Sequence, residues 1–397
     1  MNPVEIKKGI YWVGAVDWNV RAFHGHTYST PRGTTYNAYL IVDDKIALVD
    51  TVLGSFSEEM LARIREIVDP SRIDYVIANH VETDHSGALP ALMKLCPKAK
   101  VLGTQRCGDG LYRSYYGKWD FTAVKTGDSL NLGKKTLSFI EAPMIHWPDS
   151  MFTYCPEETL LLPNDAFGQH LASSQRFADE VDPCALWDEA KKYYANILWP
   201  LGQIIGKKIT DVAAAKLKID MIAPSHGLIW RREPEKIIQS YLAWSRQETA
   251  PKAVIVYETM WEATAKMARC IASGLIDAGV QVKIYDINTS DRTEIFKEML
   301  DSRAFCLGSS THDNSMLPAM AGFMHLVEGF RPKGRIAALF GSYGWSGGAV
   351  KDLEAMAGAA GIELPLPSLQ VKYSMDDAQK AACYEMGREF AKRILSK

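Results

Sequence analysis

Beyond Pro251 the sequence settles into one rhythm, and that rhythm constrains the fold more than any other feature. The apolar run AVIVYET (253–259) precedes a helical pattern over 263–278, and VKIYDI (282–287) precedes another over 292–300. AFCLGSS (304–310) and RIAALFGSYG (335–344) repeat the scheme, with helical patterns over 318–326, 349–360 and 376–395. Continuous apolar strands alternating with helices predict a parallel, doubly wound α/β sheet buried on both faces.

The preceding residues read differently. TYNAYLIV, KIALVDT, DYVIANH, KVLGT, KTLSFIEA and TLLLPND are short strand-like runs, with helical patterns such as SEEMLARIREIV and AAAKLKIDM between them. That mixture predicts an α/β sandwich, closed by an amphipathic helix in WRREPEKIIQSYLAWSRQ. At 397 residues the chain exceeds one hydrophobic core, so two domains are expected, 1–250 and 251–397.

Charge and cysteine usage exclude several classes. A net charge of −2 gives no electrostatic footprint for nucleic acid or an anionic membrane. No run reaches the about 20 apolar residues of a membrane helix, and MNPVEIKKGIYWVG lacks the apolar core of a signal peptide. The seven cysteines are scattered and form no CxxC, which argues against a disulfide framework, zinc ribbon or rubredoxin-type site and favours a reducing cytoplasm.

Metal-binding residue types concentrate in one hexapeptide. His80-Val81-Glu82-Thr83-Asp84-His85 directly follows the strand-like DYVIAN. Alternate residues of extended chain share a side, so His80, Glu82 and Asp84 are expected to converge where strand becomes loop. His146, Asp165 and His226 each follow an apolar strand as well, and in open α/β sheets sites collect at that edge.

In the second half, three loops sit at strand ends. The first runs from Tyr257 through Thr259, Met260, Trp261, Glu262, Ala263 and Thr264. Hydroxyls and amides at a helix start bind phosphate, and a loop without lysine or GK[ST] suits a monophosphate held by neutral donors. The second, Gly308–Asn314, carries Ser310, Thr311, His312, Asp313 and Asn314; the third, Gly341–Gly348, carries Ser342, Tyr343, Gly344, Trp345 and Gly347. Glycines allow close backbone approach, polar groups can meet a ring edge, and Tyr343 and Trp345 offer aromatic packing.

These patterns resemble known families. Histidines and carboxylates in an HxHxDH-like motif, followed by later His, Asp and His, resemble the metallo-β-lactamase superfamily and imply its αββα sandwich. HxExDH, with Glu82 in place of histidine, and the words HWPDS (146–150), NDAFGQ (164–169) and SHG (225–227) resemble the flavodiiron branch. YWVGAVDWN (11–19), GTTYNAYL (33–40) and FGSYGWSGG (340–348) extend that likeness along the chain, and the three loops resemble flavodoxin.

The resemblance implies FMN and a diiron centre with two irons per chain. His80, Glu82 and His146 would hold one iron, Asp84, His85 and His226 the other, and Asp165 would bridge them. His24 and Tyr194 (in YYAN) match positions that lie beside the substrate in the family. Implied too are reduction of O2 to water or of NO to N2O, and a separate electron donor: rubredoxin, or a reduced deazaflavin. The family assembly is a head-to-tail homodimer, alone or as a dimer of dimers. A zinc hydrolase fused to a flavodoxin-like module is the alternative; Glu82 argues against it, because oxygen-rich sets suit redox-cycling iron. A non-enzymatic electron carrier is a third reading, disfavoured by the seven ligand-type residues together.

Overall fold

The computed structural model describes residues 2–396, which form two compact units. One runs to Tyr194 and resumes over Gln203–Leu242; the other takes Ala195–Gly202 and the chain from Ala243 onward.

Among the described residues, the first unit holds a seven-stranded and a five-stranded sheet. In the larger sheet, Tyr39–Val42, Ile46–Val49, Tyr75–Ile77 and Lys100–Gly103 are successive neighbours. Their alternate residues face two different cores, as the pleat requires. Leu40, Leu48, Val76 and Val101 pack with Met60, Ile64, Leu89 and Leu92 of the covering helices. Ile41, Ala47, Val49 and Ile77 meet Leu137, Phe139, Met151 and Leu160 of the second sheet. On the far side of that sheet Phe152 and Leu161 turn toward Ile205 and Ile209 of the Gly202–Ala214 helix. The result is an αββα sandwich.

Two local expectations are corrected here. AAAKLKIDM is not a helix of its own: the helix lies earlier, over Gly202–Ala214, and Met221–Ile222 is a strand beside Leu160–Leu162. The extended alternation after DYVIAN also stops short. The strand ends at Ile77, Glu82 is still extended (φ −54°, ψ 145°), and Thr83–Ser86 is a helical turn carrying Asp84 and His85. A tight Ser-Gly-Ala passage then leads into the Leu89–Leu95 helix, with Pro90 in its first turn.

In the second unit the parallel strands run in the order Gln281–Asp286, Ala250–Glu258, Ser302–His312, Ile336–Tyr343, Leu369–Lys372. This is the 2-1-3-4-5 order of flavodoxin-like sheets. The fifth strand has no counterpart among the four expected from the sequence. Ala253, Ile255 and Tyr257 face a core shared with the Ala263–Asp277 and Asp377–Leu395 helices. Those helices cross at Gly274 and Gly387; a Cβ on Gly274 would stand 2.1 Å from the Tyr384 carbonyl oxygen. Elsewhere the Arg292–Leu300 and Pro318–Phe330 helices meet through the stacked rings of Phe296 and Phe323.

Among the described residues no helix is long and apolar enough to cross a membrane, and all seven cysteines are unpaired.

Candidate metal centre and flavin cavity

Strand ends of both sheets of the first unit deliver the seven ligand-type residues to one buried cluster. Asp165 stands at its middle. It follows the Leu160–Leu162 strand through Asn164, whose φ of 53° is a left-handed conformation that asparagine tolerates. The two carboxylate oxygens of Asp165 face different partners. Oδ2 lies 3.8 Å from His80 Nε2 and 3.6 Å from His146 Nε2; Oδ1 lies 3.1 Å from His85 Nε2 and 3.5 Å from His226 Nε2.

A further carboxylate completes each side. Glu82 Oε2 is 3.3 Å from His80 Nε2 and 3.4 Å from His146 Nε2. Asp84 reaches His226 Nε2 at 3.1 Å and His85 Nε2 at 3.5 Å. Donor atoms of His80, His146 and Asp165 lie within 4.8 Å of one another, and so do those of Asp84, His85 and His226. Two imidazoles and one carboxylate on each side of a shared carboxylate suit a pair of first-row transition-metal ions.

Several imidazoles are aimed by groups behind them. His226 Nδ1 is 2.7 Å from the Thr35 carbonyl oxygen. A carbonyl only accepts, so Nδ1 carries the proton and the Nε2 lone pair faces the cluster. His80 Nδ1 likewise donates to Asp149, whose Oδ2 also accepts the Val81 amide at 2.8 Å. Carboxylate–histidine pairs of this kind fix ring orientation at metal sites.

The residues fit a metal on a further count. Asp84 Oδ1 and Asp165 Oδ2 are buried and lack a hydrogen-bond donor among the described residues. Buried anionic oxygens without donors are costly, and a cation among the imidazoles would satisfy both. Without one, protons do that work. Burial works to lower His80, but hydrogen bonds to Asp149 and Glu82 outweigh it and push it up to about 10. For His85 the charges of Asp84 and Asp165 likewise overcome burial and push it up to about 9. Despite burial, His85 and its neighbours hold Asp165 well below the usual carboxylate range. Metal binding would displace the imidazole protons.

Of the residues expected beside the substrate, His24 is at the rim. Its Nε2 is 3.7 Å from Glu82 Oε1 and its ring centroid 6.0 Å from that of His146. Burial lowers its pKa from the usual histidine range, against the opposing pull of Glu82. Tyr194 is turned away, edge-on to Tyr241 at 4.9 Å. The hydroxyl that reaches the cluster belongs to Tyr193, which donates to Asp165 Oδ1 at 3.0 Å. The sequence reading also passed over Asp149 and His170. His170 is buried, stacked on Phe23 at 4.4 Å and 4.9 Å from the His226 ring. Asp149 stood inside the HWPDS word, and His170 directly after NDAFGQ.

The second unit's strand-end loops enclose a cavity of about 490 Å3. Met260, Trp261, Ala263, Ser310, Thr311, His312, Asp313, Asn314, Ser342, Tyr343, Gly344 and Trp345 all line it. Beneath lies a hydroxyl cluster, with Thr264 Oγ1 2.9 Å from both Ser310 Oγ and Ser342 Oγ. Thr259 Oγ1 instead caps the helix by accepting the Ala265 amide at 3.3 Å. Trp261 and Glu262 have φ of 55° and 63°, so the chain curls tightly just ahead of the Ala263–Asp277 helix. At Gly347 a Cβ would stand 2.5 Å from Gln370 Oε1. One expectation changes: Lys266, one turn into the helix, also lines the cavity, so the phosphate-type site is not built of neutral donors alone. Tyr373 and Ser374 join it from the loop after the fifth strand.

Fold and site together define a two-domain protein: a metallo-β-lactamase-type sandwich adapted to a carboxylate-rich metal pair, and a flavodoxin. The comparisons agree. The family model described as "ODP family beta lactamase" matches residues 34–227 and the flavodoxin family model residues 255–387. A nitric oxide reductase of Moorella thermoacetica is 54% identical over 99% of both chains. An anaerobic nitric oxide reductase flavorubredoxin of Vibrio vulnificus is 41% identical over 98% of this chain and 79% of its own. Rubredoxin oxygen:oxidoreductase from Desulfovibrio gigas superposes with a TM-score of 0.97 at 37% identity, covering 100% of this chain and 99% of that one. The chain belongs to the flavodiiron family. It is an oxidoreductase of the NO/O2 reductase type, and FMN and a non-haem diiron centre are the cofactors that membership implies.

Proposed function

We propose that the seven clustered residues hold the two irons, with His80, Glu82 and His146 on one side, Asp84, His85 and His226 on the other, and Asp165 bridging. The observation that carries this reading is the division of the Asp165 oxygens between two pairs of imidazoles. Bound there, the irons would supply the reduction of NO to N2O or of O2 to water, with electrons relayed by FMN. The chain's own residues do the rest. Asp149 and the Thr35 carbonyl set the tautomers of His80 and His226. Tyr193 holds Asp165 in its bridging orientation through the 3.0 Å hydrogen bond. His24, at the exposed rim beside Glu82, is placed to relay protons, taking one up from solvent at one ring nitrogen as it releases one from the other toward the open side.

FMN would occupy the cavity lined by Trp261 and Trp345, its phosphate at the curled loop ahead of Ala263 and near Lys266. Rubredoxin is the proposed donor, consistent with a relative named rubredoxin oxygen:oxidoreductase. Seven unpaired cysteines suit the cytoplasm. Head-to-tail pairing of two chains would bring the FMN of each toward the metal cluster of the other, through an isologous interface. The zinc-hydrolase alternative is not favoured, since relatives matched over nearly the whole chain are named as nitric oxide reductases.

Steady-state turnover tests this function. Chemically reduced rubredoxin should support consumption of NO, O2 or both by the iron- and FMN-loaded protein; consumption of neither gas would refute it.

A further inference from the structure

The first unit also contains a cavity of about 200 Å3 lined mostly by carbon, and the charged residue on it, Lys208, turns its Nζ to the Glu141 carbonyl oxygen at 2.7 Å. Its inner wall is made by chain neighbours of ligand-type residues. Ile145 precedes His146, and Ala166 and Phe167 follow Asp165. All three are buried, at 2%, 2% and 4% exposure. The outer end differs: Val212 is half-buried and Ala213 exposed, so the cavity opens to solvent along the last turn of the Gly202–Ala214 helix. Tyr241 closes one side, and its hydroxyl accepts the Phe167 amide at 2.8 Å.

A mostly apolar space of this size is what a small apolar gas prefers to water. An apolar cavity of about 150 Å3 in another protein stays empty of water and takes up xenon or benzene. Charged and hydrogen-bonding solutes gain nothing in such a space, whereas uncharged diatomic molecules lose little by leaving water. We propose that this cavity is an entry and storage site for the uncharged diatomic substrate, joining solvent at Val212 to the rear of the metal cluster at Ile145 and Phe167. The inference rests on the gas-reductase reading above and adds a route to it. His24 and Glu82, which do not line this cavity, form a polar rim that suits protons and water.

Two measurements test it. Crystals of the iron- and FMN-loaded protein under xenon pressure should show xenon between Phe152, Phe167 and Ile205, and the Val212→Trp variant should not. Val212 is half-buried at the mouth, so a larger side chain there can close the opening without entering the packed core. In turnover with reduced rubredoxin, Val212→Trp should raise KM for NO or O2 by at least about threefold with kcat held, and Val212→Ala should not raise it. Absence of xenon from the wild type, or unchanged kcat/KM in a folded, iron-replete Val212→Trp, overturns the proposal. A wild type that binds xenon yet consumes neither gas overturns the gas-reductase reading instead, so the two failures are distinguishable.

Discussion

Asp149 grips His80 from behind: its Oδ2 lies 3.1 Å from Nδ1, the ring nitrogen opposite the one that faces Glu82 and Asp165. The same carboxylate accepts the Val81 amide, so backbone and imidazole are fixed by one group. Replacing Asp149 by alanine frees the ring to rotate. Loss of such a partner costs about 10- to 100-fold in metal affinity. Iron titration of the metal-free Asp149→Ala variant should show that loss for one of two metal equivalents, with flavin binding untouched.

Asp165 belongs to both halves of the cluster, so Asp165→Ala is expected to abolish gas reduction while FMN remains bound. Both proposed metals lose a ligand at once, and the four imidazoles lose the anion that separates them. Turnover and flavin absorbance measured on one sample check this. A variant retaining both irons and near-normal turnover would show that the bridge is misassigned.

Adjacent tyrosines give a sharper contrast. Tyr193→Phe removes the donor to Asp165, a hydrogen bond to a charged group worth about 1.5–3 kcal/mol. Lower thermal stability and reduced turnover are expected. Tyr194→Phe keeps its ring edge-on to Tyr241 and does not touch Asp165, so iron content and turnover should stay near wild type. Equal loss in both variants would contradict the assignment.

At the flavin cavity, Trp261 and Trp345 line the wall yet stand 91% and 92% exposed. Side chains left so open gain cover when a flat aromatic ligand enters. Trp345→Ala should weaken FMN binding by about 0.5–1.5 kcal/mol beyond lost area, roughly two- to tenfold in Kd. Fluorescence titration of the FMN-free chain measures it, and iron content should not change.

How much of this was legible in the sequence depended on whether the cue was local. The hexapeptide at 80–85 and the three strand-end loops lay in single short words, and each leads to a built site. The directions of their side chains were less legible. Extended alternation carried the reading to Glu82, but the chain enters a helical turn at Thr83 and swings Asp84 toward His226. Neighbours on a helix point about 100° apart, so YYAN alone could not say which tyrosine faces the cluster. The Leu369–Lys372 strand escaped because it is a sheet edge in which only Val371 is buried, leaving no apolar run. Asp149 and His170 act through partners far away in sequence, and no spacing rule joins His80 to Asp149 or Thr34 to His170.

The central claim is that a carboxylate-bridged pair of irons in the first unit is fed by a flavin in the second. Elemental and flavin analysis of anaerobically purified, active protein tests it most directly. The account predicts two irons and one FMN per chain with little zinc. Stoichiometric zinc without iron in an active sample would contradict it.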